Sequence, residues 1–239
     1  KHFICFMTIF IADIQKNTAT LAPEESWHCA KVLRKKIGDH VHVIDGKGLI
    51  AEGTLSLVSE KKCSVHLLQE ARLQDKHPYY LHLAIAPTKQ IDRMEWLLEK
   101  AVEIGIDEIS FIQCKNSERV QLKNERIQKI VESAVKQSLQ AYIPKINALT
   151  GFDTFIQNCT ADQLLLAHCY NANKTPLISL DFKNIHSLVM IGPEGDFSRE
   201  EVTAATEKKI RFVSLGENRL RTETAGLFVC MSAAIRSRL

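Results

Sequence analysis

Two glycine-anchored loops, each set between a short apolar run and a helix, constrain this chain more than any other feature. The first is Ile191-Gly192-Pro193-Glu194-Gly195-Asp196-Phe197-Ser198, which follows the apolar run Ser187 to Ile191. The second is Leu215-Gly216-Glu217-Asn218-Arg219-Leu220-Arg221-Thr222-Glu223-Thr224-Ala225, which follows Phe212 to Leu215. A strand that ends in Gly and gives way to a helix exposes backbone N–H and C=O groups at its carboxyl edge. In α/β sheets that edge is where small ligands bind. Two such crossings close together predict one pocket built from both.

Upstream, the chain reads as a small β-rich unit. Pro23-Glu24-Glu25 starts a short helix that carries His28, Lys31, Val32 and Leu33 to Arg34-Lys35, and Gly38-Asp39 ends it. His40 to Ile44 alternates like a half-exposed strand, and Asp45-Gly46-Lys47-Gly48 turns it into a second, Leu49 to Val58. A further turn leads into Cys63 to Leu68. Strands in hairpin sequence with one helix predict a small barrel. Gln69 to Pro78 is polar and reads as a linker, so the expected division is 1–71 and 72–239.

Beyond the linker, strand and helix alternate. Tyr80 to Ala86 and Ile106 to Ile112 read as strands, and Leu164 to Ala167 and Ser187 to Ile191 are continuous apolar runs of the kind found inside parallel sheets. Asp92-Arg93-Met94-Glu95 and Ser198-Arg199-Glu200-Glu201 both look like capping-box helix starts. Asn124 to Ala141 is a predicted helix stopped before Pro144, and Thr222 opens the last one. Alternation of this kind on its own predicts a doubly wound sheet.

A chain of 239 residues with 45% hydrophobic and 25% charged content is an ordinary globular protein. The formal net charge of +3 neither requires nor forbids a nucleic-acid partner, because what matters is clustering. Seven scattered cysteines without a Cys-x-x-Cys pair argue against a zinc site or a disulfide framework, and for a reducing, cytoplasmic setting. The opening Lys1 to Ala12 has the apolarity of a signal-peptide core but no clear cleavage site, and reads as a first strand. No run is long enough to span a membrane. The nine histidines have no metal-ligand spacing. There is no nucleophile elbow, Walker loop or G-x-G-x-x-G fingerprint, so ATP and NAD lose support.

Gly192-Pro193-Glu194-Gly195 fits a type I turn with Pro second and Gly fourth, and its glycines also let backbone approach a ligand closely. In the second loop, Thr222 is the expected N-cap and Glu223 a first-turn acid favoured by the helix dipole. Two arginines, Arg219 and Arg221, immediately before a helix N-terminus run against that dipole, and residues that break a local rule beside a predicted pocket point to function. The basic run Lys31, Arg34, Lys35 and Lys36 has two readings, a solvated face or a phosphate-contacting surface.

Taken together, these residues resemble the SPOUT methyltransferases, and among them the RsmE-like 16S ribosomal RNA (uracil-N3)-methyltransferase family. The resemblance extends to Lys89-x-x-Asp92-Arg93-Met94-Glu95, to Lys100 through Ile106, to Asn116-Ser117-Glu118-Arg119 and to Gln137-Ser138. It extends also to His28-x-x-Lys31-Val32-Leu33-Arg34 with Gly38-Asp39. It covers nearly the whole chain in order. Where family members often follow the Gln137 motif with an arginine, this chain has Leu139-Gln140-Ala141. The family-like start lies near Met7 to Asp13, so Lys1 to Phe6 reads as an upstream extension.

The resemblance implies an N-terminal PUA-like RNA-binding barrel and a C-terminal α/β domain whose trefoil knot binds S-adenosylmethionine. It implies a cytoplasmic homodimer acting on 16S ribosomal RNA, within the small ribosomal subunit, without a metal. Cofactor contacts are then expected at Gly192, Glu194, Gly195, Leu215, Gly216, Leu220, Thr222, Thr224 and Ala225. Arg221 and Arg219, with Arg119 next, are the expected catalytic residues. His28, Lys31, Arg34, Lys35, Lys89 and Arg93 are the expected RNA contacts. The last helix is apolar around most of its circumference (Leu227, Phe228, Val229, Met231, Ala234, Ile235), in keeping with a dimer. Two other functions remain open: a ribose 2′-O-methyltransferase of the same superfamily acting on rRNA or tRNA, and a non-catalytic RNA-binding dimer. The first is disfavoured because Leu-Arg-Thr-Glu-Thr stands where such enzymes carry an Asn-containing motif. The second is disfavoured by the intact glycine loops.

Overall fold

The computed structural model describes residues 8–238. The expected extension Lys1 to Phe6, and the first part of the expected opening strand, lie outside the described residues. The chain divides into two compact units. One runs to Lys76 and takes in Val135–Ile143, and the other holds His77–Ala134 and Pro144–Leu239.

The first unit is the barrel that the hairpin pattern predicts. Its elements are β1 (Ile9–Gln15), β2 (Thr18–Leu21), α1 (Pro23–Trp27), a π-helical turn His28–Val32, β3 (His40–Ile44), β4 (Leu49–Leu57), β5 (Ser64–Leu67) and β6 (Arg72–Leu73). The sheet runs β3-β1-β2-β5-β4-β6, and a β3–β4 pairing closes it. All its pairings are antiparallel except β1 with β3, where Phe10 lies opposite Val43. Alternation sends Phe10, Val41, Val43, Leu55 and Val65 into one apolar core. The hydroxyl of buried Ser26 accepts from the Cys63 amide at 2.9 Å and donates to the Leu21 carbonyl at 3.2 Å, fixing the start of the helical segment.

The polar stretch expected as a linker is built into this unit. It carries β6, and Gln74 donates to the Leu139 carbonyl at 3.0 Å while accepting from the Ala141 amide at 2.6 Å. Both partners belong to the returning segment 135–143, which no local pattern had assigned to the barrel.

The second unit is built on a seven-stranded sheet in the order β11-β13-β10-β12-β7-β8-β9, parallel throughout. Its elements are β7 (Tyr80–Ile85), α2 (Ile91–Ile104), β8 (Glu108–Gln113), α3 (Asn124–Gln137), β9 (Lys145–Gly151), α4 (Phe152–Asn158), β10 (Gln163–Ala167), β11 (Thr175–Pro176), β12 (His186–Ile191), α5 (Arg199–Glu207), β13 (Arg211–Ser214) and α6 (Thr222–Arg236). The final residues of α3 belong to the first unit. The capping box expected at Ser198 is present, with both reciprocal bonds made. The one expected at Asp92 is not: α2 starts two residues earlier, with Gln90 at the N-cap and no side-chain bond there.

At the amino end of the central strands, a buried polar network joins β7, β8 and β9. Glu108 accepts from Tyr80, Lys145 and Asn147 at 2.8, 2.9 and 2.6 Å. The Ser110 hydroxyl lies 2.7 Å from His82 Nε2 and accepts from Asn147 at 2.8 Å. Among the described residues, no helix is long and apolar enough to cross a membrane.

Candidate active site

β10 lies between β12 and β13, so the carboxyl ends of three neighbouring strands meet at one edge of the sheet. Ala167, Ile191 and Val213 mark those ends, and the loops that follow enclose a cavity of about 560 Å³. That is ample for a nucleotide-sized ligand. The two glycine loops do build one pocket, and the segment after β10 supplies a third wall.

The first loop is shaped by a turn shifted one residue from expectation. The Asp196 amide bonds to the Pro193 carbonyl at 2.9 Å, which puts Glu194 and Gly195 at the centre of the turn. Asp196 is held at φ 63, and its carboxylate accepts from the amides of Phe197 (2.8 Å) and Cys169 (2.7 Å). It therefore ties the first loop to the segment after β10. Gly195 faces away from the cavity toward Asn116, where a Cβ would sit 3.0 Å from the Asn116 Cβ. The Asn116 amide donates to the carbonyls of Gly195 and Asp196 at 3.2 and 3.1 Å.

In the second loop the backbone reverses at Gly216, whose φ of +124 an L side chain rarely adopts. The two loops are bonded to each other. The buried Thr222 hydroxyl donates to the Gly192 carbonyl at 3.1 Å, and Arg219 Nη2 donates to the Glu194 carbonyl at 3.2 Å. Thr222 is therefore not the N-cap. Arg221 occupies that position with extended backbone, and Thr222 is the first helical residue. Its hydroxyl serves the other loop instead of the helix end.

Of the residues expected at the cofactor, Gly192, Glu194, Leu215, Gly216, Leu220, Thr222 and Ala225 line the cavity, with Arg219 and Arg221. Gly195 and Thr224 are not among the lining residues, and Thr224 is exposed. Glu194 turns its carboxylate to the Lys89 amide at 2.9 Å. Arg119 stands behind that contact, its guanidinium donating to the carbonyls of Thr88 (3.1 Å) and Lys89 (2.6 Å). The Arg221 side chain makes no hydrogen bond or ion pair with another described residue, so its donors are uncommitted.

His168, Cys169, Lys174, Asp196 and Glu217 also line the cavity and had no motif of their own. Their signal was positional: they follow the carboxyl ends of apolar strands. His168 accepts from the Tyr170 amide at Nδ1 (3.1 Å), and burial, with Lys174 adding to it, lowers its pKa, so the ring is neutral at pH 7. The same Lys174 donates to the His168 carbonyl at 2.6 Å. Lys174, Arg219 and Arg221 line the cavity together with Glu194, Asp196 and Glu217, so the walls carry both signs of charge.

The expected RNA contacts fall in two groups. His28, Lys31, Arg34 and Lys35 lie on the π-helical turn and the bend after it, and Lys31 is paired with Glu60 at 2.9 Å. In the second unit, Lys89 is paired with Glu118 at 2.7 Å, and Arg93 approaches Glu223 to 3.7 Å.

Comparison with known proteins places this geometry. Residues 75–234 match the RNA methyltransferase domain family, and residues 21–68 match the RNA methyltransferase PUA domain. A Bacillus subtilis protein named ribosomal RNA small subunit methyltransferase E is 26% identical over 93% of this chain and 91% of its own length. The crystal structure of a probable rRNA-methyltransferase from Porphyromonas gingivalis superposes with a TM-score of 0.87 at 36% identity, covering 98% of this chain and 99% of the other. The fold is also that of a ribosomal RNA small subunit methyltransferase E from Neisseria gonorrhoeae bound to S-adenosyl methionine (TM-score 0.82, 24% identity, 97% and 98% covered). A PUA-like barrel, a parallel α/β unit and a pocket made of two glycine loops converge on one assignment: the chain belongs to the RNA methyltransferase family.

Proposed function

We propose that this protein uses S-adenosylmethionine to methylate N3 of a uridine in 16S, small-subunit ribosomal RNA. The observation that carries this reading is the uncommitted Arg221 beside a cavity closed by two glycine loops. The cavity fits the cofactor on its own terms. Its volume of about 560 Å³ and its mixed charges suit a molecule that joins an adenosine to a zwitterionic amino acid. Backbone groups of Gly192, Leu215, Gly216 and Leu220 would hold the adenosine, and the charged walls suit the amino-acid end.

The bound cofactor supplies a methyl group on a sulfonium, an electrophilic carbon. The chain must do the rest. Uracil N3 lies on the Watson–Crick edge, so the base has to be presented unpaired. N3 must lose its proton to become a nucleophile, and negative charge then spreads over the imide oxygens. A guanidinium with fixed donors stabilises such charge, which is the role assigned to Arg221. Arg219, bonded to the Glu194 carbonyl, holds the two loops together as well as lining the cavity. Arg119, occupied by two backbone carbonyls, is a positioning residue for the Lys89 loop.

A homodimer is part of the proposal. On α6, Leu227 and Phe228 are half-buried, and Met231 and Ile235 are 45% and 52% exposed. They form an apolar stripe at helical spacing that a second copy would cover. Six described cysteines are free thiols, in keeping with a cytoplasmic setting. The test is nucleoside mass spectrometry of small-subunit RNA incubated with the protein and S-adenosylmethionine. We expect 3-methyluridine. A 2′-O-methylated nucleoside would favour the ribose-directed alternative, and an unmodified digest would overturn the proposal.

A further inference from the structure

We infer that the segment from Trp27 to Ile37 is a platform for single-stranded RNA, on which one unpaired base stacks against the Trp27 indole while Arg34, Lys35 and Lys36 contact phosphates. The inference rests on RNA being the substrate and specifies how the first unit would grip it.

The observation is an unusual surface on a rigid frame. Trp27, Val32, Leu33 and Ile37 are 52%, 50%, 40% and 66% exposed, although each is large and apolar. Lys31, Arg34 and Lys36 are exposed among them, and Lys35 is half-buried. Lys31 is neutralised by Glu60 at 2.9 Å, whereas the side chains of Arg34, Lys35 and Lys36 have no acidic partner among the described residues. The exposure is not fraying. Leu33 and Lys35 amides bond the carbonyls of His28 and Cys29 at 2.9 and 3.0 Å, and the Gly38 amide bonds the Leu55 carbonyl at 2.8 Å. Lys36 N–H donates to the Asp39 carboxylate at 2.9 Å, and Arg34 is held in the left-handed region at φ 51. Cys29, fully buried, anchors the turn in the barrel core.

Each part of this surface narrows the partner. Large apolar side chains kept in water on a fixed backbone mark an interaction site. Three unpaired cations call for a polyanion. A duplex would meet the cations with phosphates and 2′-hydroxyls but leave the indole and its aliphatic neighbours in water, because its base faces are stacked inside. A single strand satisfies both, since its phosphates track the basic residues and any exposed base offers a π-face to the indole. The platform also matches the chemistry required in the second unit, where the base to be modified must be unpaired.

The test uses the full chain with Trp96→Phe, which leaves Trp27 as the sole fluorophore of the two tryptophans. Titration with a short oligouridylate should quench Trp27 emission. Trp27→Leu, which keeps an apolar side chain but removes the π-face, should weaken oligouridylate binding about 5- to 100-fold, and Trp27→Phe should retain most of it. The salt dependence of binding should be unchanged in Trp27→Leu. It should fall by about 1.4 in slope when Arg34 and Lys36 are both changed to Gln, at roughly 0.7 per phosphate on a single strand. Equal binding by wild type and Trp27→Leu would overturn the platform. So would equal quenching by an RNA duplex, or by vesicles containing phosphatidylglycerol, which would identify a different partner. If the platform fails in these ways while ribosomal RNA is still methylated, the proposed activity stands. A wild type that neither binds oligouridylate nor methylates ribosomal RNA overturns both.

Discussion

The bond from Thr222 to the Gly192 carbonyl should control how firmly the two glycine loops close on the cofactor. Thr222→Val keeps the shape of the side chain and replaces the hydroxyl by a methyl. Thr222 is only 5% exposed, so with cofactor filling the cavity the lost donor is poorly replaced by water. Leaving a buried acceptor unsatisfied costs about 1–3 kcal/mol, and the 3.1 Å length, long for a hydroxyl donor, argues for about 1–2. For a unit of this size each kcal/mol lowers Tm by roughly 2–4 °C, so a fall of about 2–8 °C is expected. Because the bond links loop to loop, a similar energy should be lost from ligand binding, weakening S-adenosylmethionine about tenfold. Scanning calorimetry and isothermal titration of wild type, Thr222→Ser and Thr222→Val would measure both effects. Serine should rescue both, since it keeps the hydroxyl. If serine and valine behave alike, or valine binds cofactor as wild type does, the loop-to-loop bond is not what shapes the pocket.

Three further outcomes follow from the same structure. Arg221→Lys keeps the charge but loses the planar fork, so single-turnover methyl transfer at saturating cofactor should fall about 10²-fold with cofactor affinity little changed; a near wild-type rate would remove Arg221 from the chemistry. Gly216→Val forces a branched residue to φ +124 with nothing crowding its Cβ, so the strain of about 1–3 kcal/mol should appear as weaker cofactor binding by calorimetry, and unchanged affinity would mean the loop tolerates another path. Stability should decline in acid in two stages. Burial, opposed by Glu108, holds His82 at about 4, so the unfolded chain takes up that proton first and stability is lost as pH falls from about 6.5 to 4. Burial pushes Glu108 up, but bonds from Lys145, Asn147 and Tyr80 outweigh it and bring it to about 2, so its contribution is lost from about 4.5 downward. Urea midpoints measured from pH 7 to 3 should fall throughout, and His82→Asn should flatten the upper stage; an unchanged upper stage would show that another group sets it.

Much of the fold was legible because the relevant patterns are local. Hairpin turns such as Asp45 to Gly48, where the Asp45 carboxylate accepts from the amides of Lys47 and Leu49 at 2.7 and 2.9 Å, are written in adjacent residues. So are continuous apolar strands such as Leu164 to Ala167, which pair on both edges inside the parallel sheet. The glycine loops were legible for the same reason. What the local pattern could not carry was any element defined by a distant partner. β9 has a half-buried, weakly patterned sequence, and it becomes a strand by pairing with β8 through a register shift between Ser110 and Ile112. The return of Val135–Ile143 to the barrel depends on partners far away in sequence, Gln74 and the turn at Gly46–Gly48.

The same distinction governs the site. Cavity walls belong to residues whose own neighbours say little: Lys174 and His168 matter because β10 lies between β12 and β13, an order that no periodicity encodes. Two residues marked out by sequence acquired their meaning only from what they touch. Gly195 is a glycine because Asn116 approaches it, and Asn116 then fixes both carbonyls of the turn. Thr222 looks like a cap but spends its hydroxyl across the pocket, which leaves the N-cap position to Arg221. A cation at that position is unfavourable beside the helix dipole, and no carboxylate pairs with its side chain among the described residues. The proposed substrate would supply the compensation, because an imide that loses its proton presents negative charge to such a cation.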